Sequence, residues 1–295
     1  MEDIDVKTNI KDKTFDTTLL IIIILISLAC IIPLIYIAAV SLSSNIAIIS
    51  KKVFLWPVEI NIDAYRAVLT DKSMFNSMVF TVWLTVLCAA CSMIITILAA
   101  YPLTKKHLKG RNLFLVMIVI TMYFSGGMIP DYIIVKSLNL VDKFWALVLP
   151  GMLSAFNLIL LKTFFSSLPE SLEESAYLDG ASHLDILVKI VLPLSTPVLA
   201  TLTLFYAVGR WNGFQDAIIY ISKPELYPLQ LKLYALVYNN QMSEVAEIEG
   251  MASNGLPTEN LKAAVVMFAT LPILLAYPWL QRYFISGMMI GAIKG

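Results

Sequence analysis

Residues 168–193 read LPESLEESAYLDGASHLDILVKIVLP, a charged, helix-patterned interlude between two strongly apolar segments. Ser171, followed three residues on by Glu174, has the pattern of a capping box and predicts the start of a short helix. Gly180 supplies the left-handed residue that ends such a helix. Ser182 and Asp185 offer a second, weaker cap. Leu184, Leu187, Val188 and Val191 then recur at helical spacing until Pro193 interrupts them. Helix, glycine turn, helix is too short and too polar to cross a bilayer. Between two apolar segments it lies at a membrane surface and offers a shaped knob to something outside the membrane.

The whole chain supports a membrane setting. Hydrophobic residues make up 59% and charged residues only 14%, where soluble domains carry nearer a quarter. Several long apolar runs point to an all-α membrane protein with several spans. A net charge of zero gives no basic excess to hold nucleic acid. Two His and three Cys leave little material for a metal site or a disulfide framework. Cys88 and Cys91 have the spacing of a redox pair, but no strand–loop–helix context surrounds them. They read instead as small residues packing between helices.

Six spans are expected, at about 17–40, 74–103, 113–130, 145–165, 194–221 and 261–284, with both termini cytoplasmic. Residues 1–16 form a polar tail. A signal peptide is the competing reading of the first run, but its apolar core would be roughly twice the usual length. The second span is rich in small residues suited to close helix contact, among them Ala89, Ala90, Ser92 and Ala99. Lys105, Lys106, Lys109 and Arg111 form a compact basic turn, which the positive-inside rule assigns to the cytoplasm. Two spans later, the 168–193 loop falls on the same side. Pro272 and Pro278 are candidates for bending the sixth span. Residues 17–295 form one transmembrane domain.

No catalytic constellation is present. The chain lacks a Gly-x-x-x-x-Gly-Lys-Ser/Thr loop to cradle ATP phosphates, and it has no His-Glu-x-x-His or Gly-x-Ser-x-Gly. If the chain serves active transport, the energy must enter from another polypeptide, and the 168–193 knob is the obvious port. The fifth span holds the informative polar residues: Tyr206, Arg210, Trp211, Asn212, Gln215 and Asp216. A charge at the bilayer centre costs about 2.5–3.5 kcal/mol on insertion scales, so such residues face a partner or a wet cavity. Trp211 offers a plane to stack on a pyranose, and Asn212 and Gln215 can bond its hydroxyls. The alternative is a hydrated outer end of the span with Trp211 as an interfacial anchor. Gly209 and Gly213 could also mark helix packing.

These residues carry a family resemblance. Glu174-Ser175-Ala176, Gly180, Ile190, Leu192 and Pro193 resemble, at the family's spacing, the EAA loop of bacterial ABC importer permeases. Ser175 stands where the family usually has Ala. Asp179-Gly180-Ala181 is similar to the family's Asp-Gly-Ala. Phe124 to Pro130, Trp145 to Gly151, Ala207 to Asn212 and Gly287 to Gly295 resemble the carbohydrate-uptake subfamily, of the maltose-type second permease. The resemblance implies a non-enzymatic transport subunit in the bacterial cell membrane. It implies a cytoplasmic ATPase-coupling loop between helices 4 and 5 that includes Glu173. It also implies a homologous second permease as heterodimer partner, two ATPase subunits and an extracytoplasmic sugar-binding protein. ATP and Mg would be held by the ATPases, with no cofactor on this chain. An ion-coupled secondary transporter is the rival, but its expected paired repeats are not visible.

Overall fold

The computed structural model describes the backbone of residues 10–237 and 259–292, and the side chains of 15–237 and 259–275. Most of the expected tail 1–16, most of the expected outer stretch 222–260 and the last residues of the C-terminal tail lie outside the described residues. Within them every regular element is helical. Among the described residues, two helices are long and apolar enough to cross a membrane, Phe15–Ser41 and Lys72–Thr104. The number rises to four if each of two sharply bent helix pairs counts as one span.

The chain divides into two compact units. The first holds the N-terminal helix Ile10–Ser41, the short helices Asn45–Ile49 and Asp63–Thr70, and the first turns of the last helix. Ser44 caps the Asn45–Ile49 helix by accepting from the Ala47 N–H at 3.2 Å. Ala39, Val40, Ala47, Val53 and Ala263 form its buried cluster.

The second unit is built on the Lys72–Ala100 helix, which packs along the Thr196–Asn212 and Ala155–Phe165 helices. Its buried small residues, Ala89, Ser92 and Ala100, let those helices approach closely. Buried hydroxyls are satisfied along the way. Thr81 accepts from the Leu229 N–H at 2.8 Å, and Ser77 donates to the Tyr227 carbonyl at 2.8 Å.

Three of the expected spans are broken rather than continuous. The third, read as 113–130, is a helix Arg111–Tyr123 that turns by 116° into a helix Met128–Ser137. Gly127, at φ +85°, makes the corner, and the residues read as an outer connector from Asp131 are helical instead. The fourth, read as 145–165, is helical only over Ala155–Phe165. Before it come a tight turn at Phe144–Leu147 and the Pro150-Gly151 corner. The fifth, read as 194–221, stops at Asn212 and resumes as Gln215–Tyr220. The sixth is one helix, Glu259–Ala292, that Pro272 and Pro278 do not interrupt.

The 168–193 segment forms helix, turn and helix, with its caps exchanged. The first helix, Glu170–Leu178, starts after Pro169 with no side-chain cap, so Ser171 lies inside it and the expected Ser171–Glu174 box does not form. Pro169 holds the N-cap position in an extended conformation, so the helix begins one residue before Ser171 and leaves that serine no capping place. Ser182 and Asp185, expected to be the weaker cap, form a complete box instead. Pro193 does not end the second helix, which runs His183–Leu194. A π-helical turn at Leu187–Val191 takes up the proline's missing N–H and ring clash. The chain then bends by 84° at Ser195 into the Thr196–Asn212 helix.

Candidate functional site

Two places in the second unit gather the residues singled out by sequence. The first is the 168–193 knob. Gly180 has φ +80°, so the turn between its helices uses the left-handed region that favours glycine. Ala176 is buried in one cluster with Tyr101, Leu161, Phe165, Ile186, Leu187 and Val191, which keys the first helix to its neighbours. Ile190 and Leu192 pack at the edge of that cluster, as does Ala181. Glu174, Ser175, Asp179 and Gly180 are exposed, and Glu174 makes no ion pair within the described residues.

Glu173 and Glu170 turn instead toward the basic turn. Glu173 is ion-paired with Lys105, and Glu170 with Lys106 at 2.6 Å. The Lys106 ammonium holds the Glu170 carboxyl below its usual range. Asp185 is pulled further, to about 2, by the Lys189 ammonium at 2.6 Å and then by the Ser182 hydroxyl. Tyr177 contacts the His183 ring across the glycine turn, and partial burial raises its phenol pKa. The knob is stiffened by its own side chains.

The second place is a cavity of about 780 Å³. Tyr206, Arg210, Asn212, Gln215 and Asp216, all singled out by sequence, line it together with Ser92, Ser154 and Asn157. The Tyr206 hydroxyl bonds with Thr96 Oγ1 at 2.7 Å and accepts from the Ser154 N–H at 3.2 Å, so it joins three helices at the cavity wall. Arg210 pairs with both oxygens of Asp216 and donates to the Leu147 and Gly213 carbonyls at 3.1 and 3.0 Å. Its guanidinium caps the Gly213 carbonyl where the helix stops at Asn212 and ties that end to the Leu147 carbonyl of the Phe144–Leu147 turn. A Cβ on Gly213 would lie 3.1 Å from the Arg210 Nη2 and 3.2 Å from the Gly209 carbonyl, whereas one on Gly209 would meet nothing within 4 Å. Gly213 thus makes room for the arginine, and Gly209 leaves the cavity wall open.

Trp211 does not line the cavity. It is buried, and its indole N–H donates to the Ala269 carbonyl at 3.2 Å. Asn157 is one of the cavity residues that sequence reasoning passed over. An amide inside the apolar run AFNLILL is costly in a membrane setting, and that cost was the signal that could have found it. Cys88, also at the wall, and Cys91 are free thiols.

Comparison with known proteins agrees with this architecture. The chain is 40% identical over 285 residues to the polygalacturonan/rhamnogalacturonan transport system permease protein YtcP of Bacillus subtilis (strain 168), covering 97% of this chain and 100% of that protein. It is 44% identical over 267 residues to protein LplC of the same organism, covering 90% of each. Among solved structures it resembles a bacterial ABC transporter involved in the import of the acidic polysaccharide alginate. There the TM-score is 0.84 at 34% identity, covering 94% of this chain and 98% of that one. The family model described as "binding-protein-dependent transport system inner membrane component" matches residues 92–290, which hold the knob and every cavity-lining residue except Cys88. The chain belongs to that family of inner-membrane transport components.

Proposed function

We infer that this chain is the permease subunit of a binding-protein-dependent ABC importer that carries a carbohydrate, of oligosaccharide size, across the cell membrane. One observation carries the reading: the knob and the cavity share two helices. The knob's core includes Met93, Ala100, Val198 and Leu202, and the cavity wall takes Ser92 from the first of those helices and Tyr206, Gly209, Arg210 and Asn212 from the second. A displacement of the knob is therefore delivered to the cavity wall by rigid elements. Its polar lining of amide and hydroxyl groups suits sugar hydroxyls, and relatives at 40% identity and above include a polygalacturonan/rhamnogalacturonan transport system permease protein.

In this reading the chain crosses the membrane six times with both termini inside, the broken helices counting as spans. Glu174 to Pro193 faces a cytoplasmic ATPase, and a second, homologous permease completes the pathway. ATP and Mg belong to two ATPase subunits, and an extracytoplasmic binding protein delivers the sugar. Tyr206, Asn212, Gln215 and Asn157 touch the passing sugar, while Arg210 and Asp216 shape the wall.

The test is uptake of labelled oligosaccharides, both oligogalacturonides and neutral hexose oligomers, into vesicles carrying the assembled complex. Uptake should cease when the ATPase is inactivated and persist when the proton gradient is dissipated. The opposite pattern would identify an ion-coupled secondary transporter.

A further inference from the structure

The basic turn is tied to the knob by one ion pair that solvent barely reaches. Lys105 and Glu173 are 68 residues apart in sequence, and their side chains are only 15% and 26% exposed. The Lys105 ammonium also sits 4.3 Å from the centroid of the Tyr101 ring, so carboxylate and aromatic face fix the cation between them. The neighbouring Lys106–Glu170 pair has side chains 78% and 72% exposed, and such a pair contributes little. Lys105 follows the Lys72–Ala100 helix after a single tight turn, Pro102–Thr104, and its own N–H donates to the Pro102 carbonyl at 3.1 Å. Ser92, at the cavity wall, lies eight residues, about 12 Å at 1.5 Å per residue, back from the end of that helix. Glu173 is thus linked to the cavity by a short, stiff path that does not run through the exposed face of the knob.

We propose that Lys105 is a positioning residue for energy coupling. Through Glu173 and Tyr101 it locks the basic turn to the knob, so that the Lys72–Ala100 helix follows the knob's movement. Glu173 faces inward for this purpose, and Glu174 is left to meet the outside partner. The inference rests on the proposed function, since it assigns the route by which ATP-driven movement reaches the cavity.

The experiment uses the assembled complex with the three native cysteines replaced by alanine and Gln215→Cys as a reporter at the cavity wall. Maleimide labelling of that cysteine is compared before and after trapping with ATP and orthovanadate, which needs no knowledge of the sugar. Trapping should change the labelling rate in the otherwise unaltered complex. Lys105→Glu and Glu173→Lys should each shrink that change about fivefold, the scale of a coupling energy between contacting residues, while ATPase subunits still co-purify. The double variant with both exchanges should recover most of it. If a charge reversal prevents assembly, Glu173→Gln, close in size, gives the same reading. Single variants that respond like the unaltered complex, or an exchange no better than either single variant, overturn the proposal. Absence of any trapping effect in the unaltered complex overturns the proposed function instead.

Discussion

Arg210 and Asp216 face each other across the break at Gly213, in a two-pronged ion pair that also holds two backbone carbonyls. Their side chains are 12% and 26% exposed, so the pair is mostly withdrawn from water. Breaking a buried pair by removing one partner costs about 3–5 kcal/mol, and partial exposure puts this one near the lower end. Arg210→Ala should therefore lower the thermal midpoint of the detergent-solubilised complex well below that of the unaltered protein. Arg210→Lys should rescue little, because a single ammonium cannot serve four acceptors at once. An unchanged midpoint for Arg210→Ala would remove the clasp from the account of the broken helix.

Gly209 and Gly213 should separate in their effects. An alanine at Gly213 must push against a backbone carbonyl and the Arg210 guanidinium, and overpacking of this kind costs about 1–3 kcal/mol. An alanine at Gly209 has open space, so folding should be preserved and any loss should appear in transport alone. Yield of assembled complex and uptake per complex, measured for both variants, distinguish the two. Equal yields would show that Gly213 is not needed for the approach of Arg210.

Gly180 is a pure test of backbone conformation. A Cβ there meets nothing within 4 Å, so the cost of substitution comes only from φ +80°. For a β-branched side chain that cost is about 1–2 kcal/mol. Gly180→Val should insert into the membrane but lose sugar-stimulated ATP hydrolysis and uptake, and Gly180→Asn should keep more of both. Normal uptake by Gly180→Val would count against a knob whose turn must be rigid.

The knob was legible in sequence because its signals are local: a glycine in a turn, a serine with an acid three residues on, apolar residues at helical spacing. Even there the stronger cap was assigned to the wrong serine, since Pro169 starts the first helix without one. The breaks at Gly127 and Gly213 were hidden because hydropathy measures the cost of burial and says nothing of backbone continuity. Pro150-Gly151 lies inside the run read as one span over 145–165, and a Pro-Gly pair at that point is a local signal for the break that the reading did not use. Lys105 and Glu173 carry no mutual signal across 68 residues. An aromatic residue such as Trp211 reads equally well as a sugar platform or as packing until its neighbours are known.

Ser182 allows a check on pH. Its hydroxyl accepts from the Asp185 N–H at 3.2 Å, and loss of such a cap costs about 1 kcal/mol. Asp185 has its pKa lowered from 3.8 to about 2, so its ionised form is the one the fold favours. That contribution is fully present above about pH 4 and is lost as pH falls through about 2. Ser182→Ala should therefore lower the thermal midpoint by the same amount at pH 5.5 and pH 8. A loss confined to the higher of those values would mean that the Asp185 carboxyl is protonated at pH 5.5 and is not held as the structure has it.

Trp211 supplies the sharpest division between a sugar path and a packing role. Its indole is buried, bonded to the Ala269 carbonyl and absent from the cavity wall. Trp211→Ala should then leave a void and an unpaired carbonyl, at a cost of about 3–5 kcal/mol if the surroundings do not collapse. The effect should fall on the amount of assembled complex, and uptake normalised to that amount should stay close to the unaltered value. Trp211→Phe keeps most of the volume and loses only the N–H donor, whose bond averages about 0.6 kcal/mol between membrane helices, so its yield should be nearly restored. Asn212→Ala, at the cavity wall beside it, should do the reverse: normal yield with reduced normalised uptake, since one lost hydrogen bond to the sugar costs about 0.5–1.5 kcal/mol. Measuring yield and normalised uptake side by side decides the matter. A Trp211→Ala complex that assembles fully but transports poorly would return the indole to the sugar path.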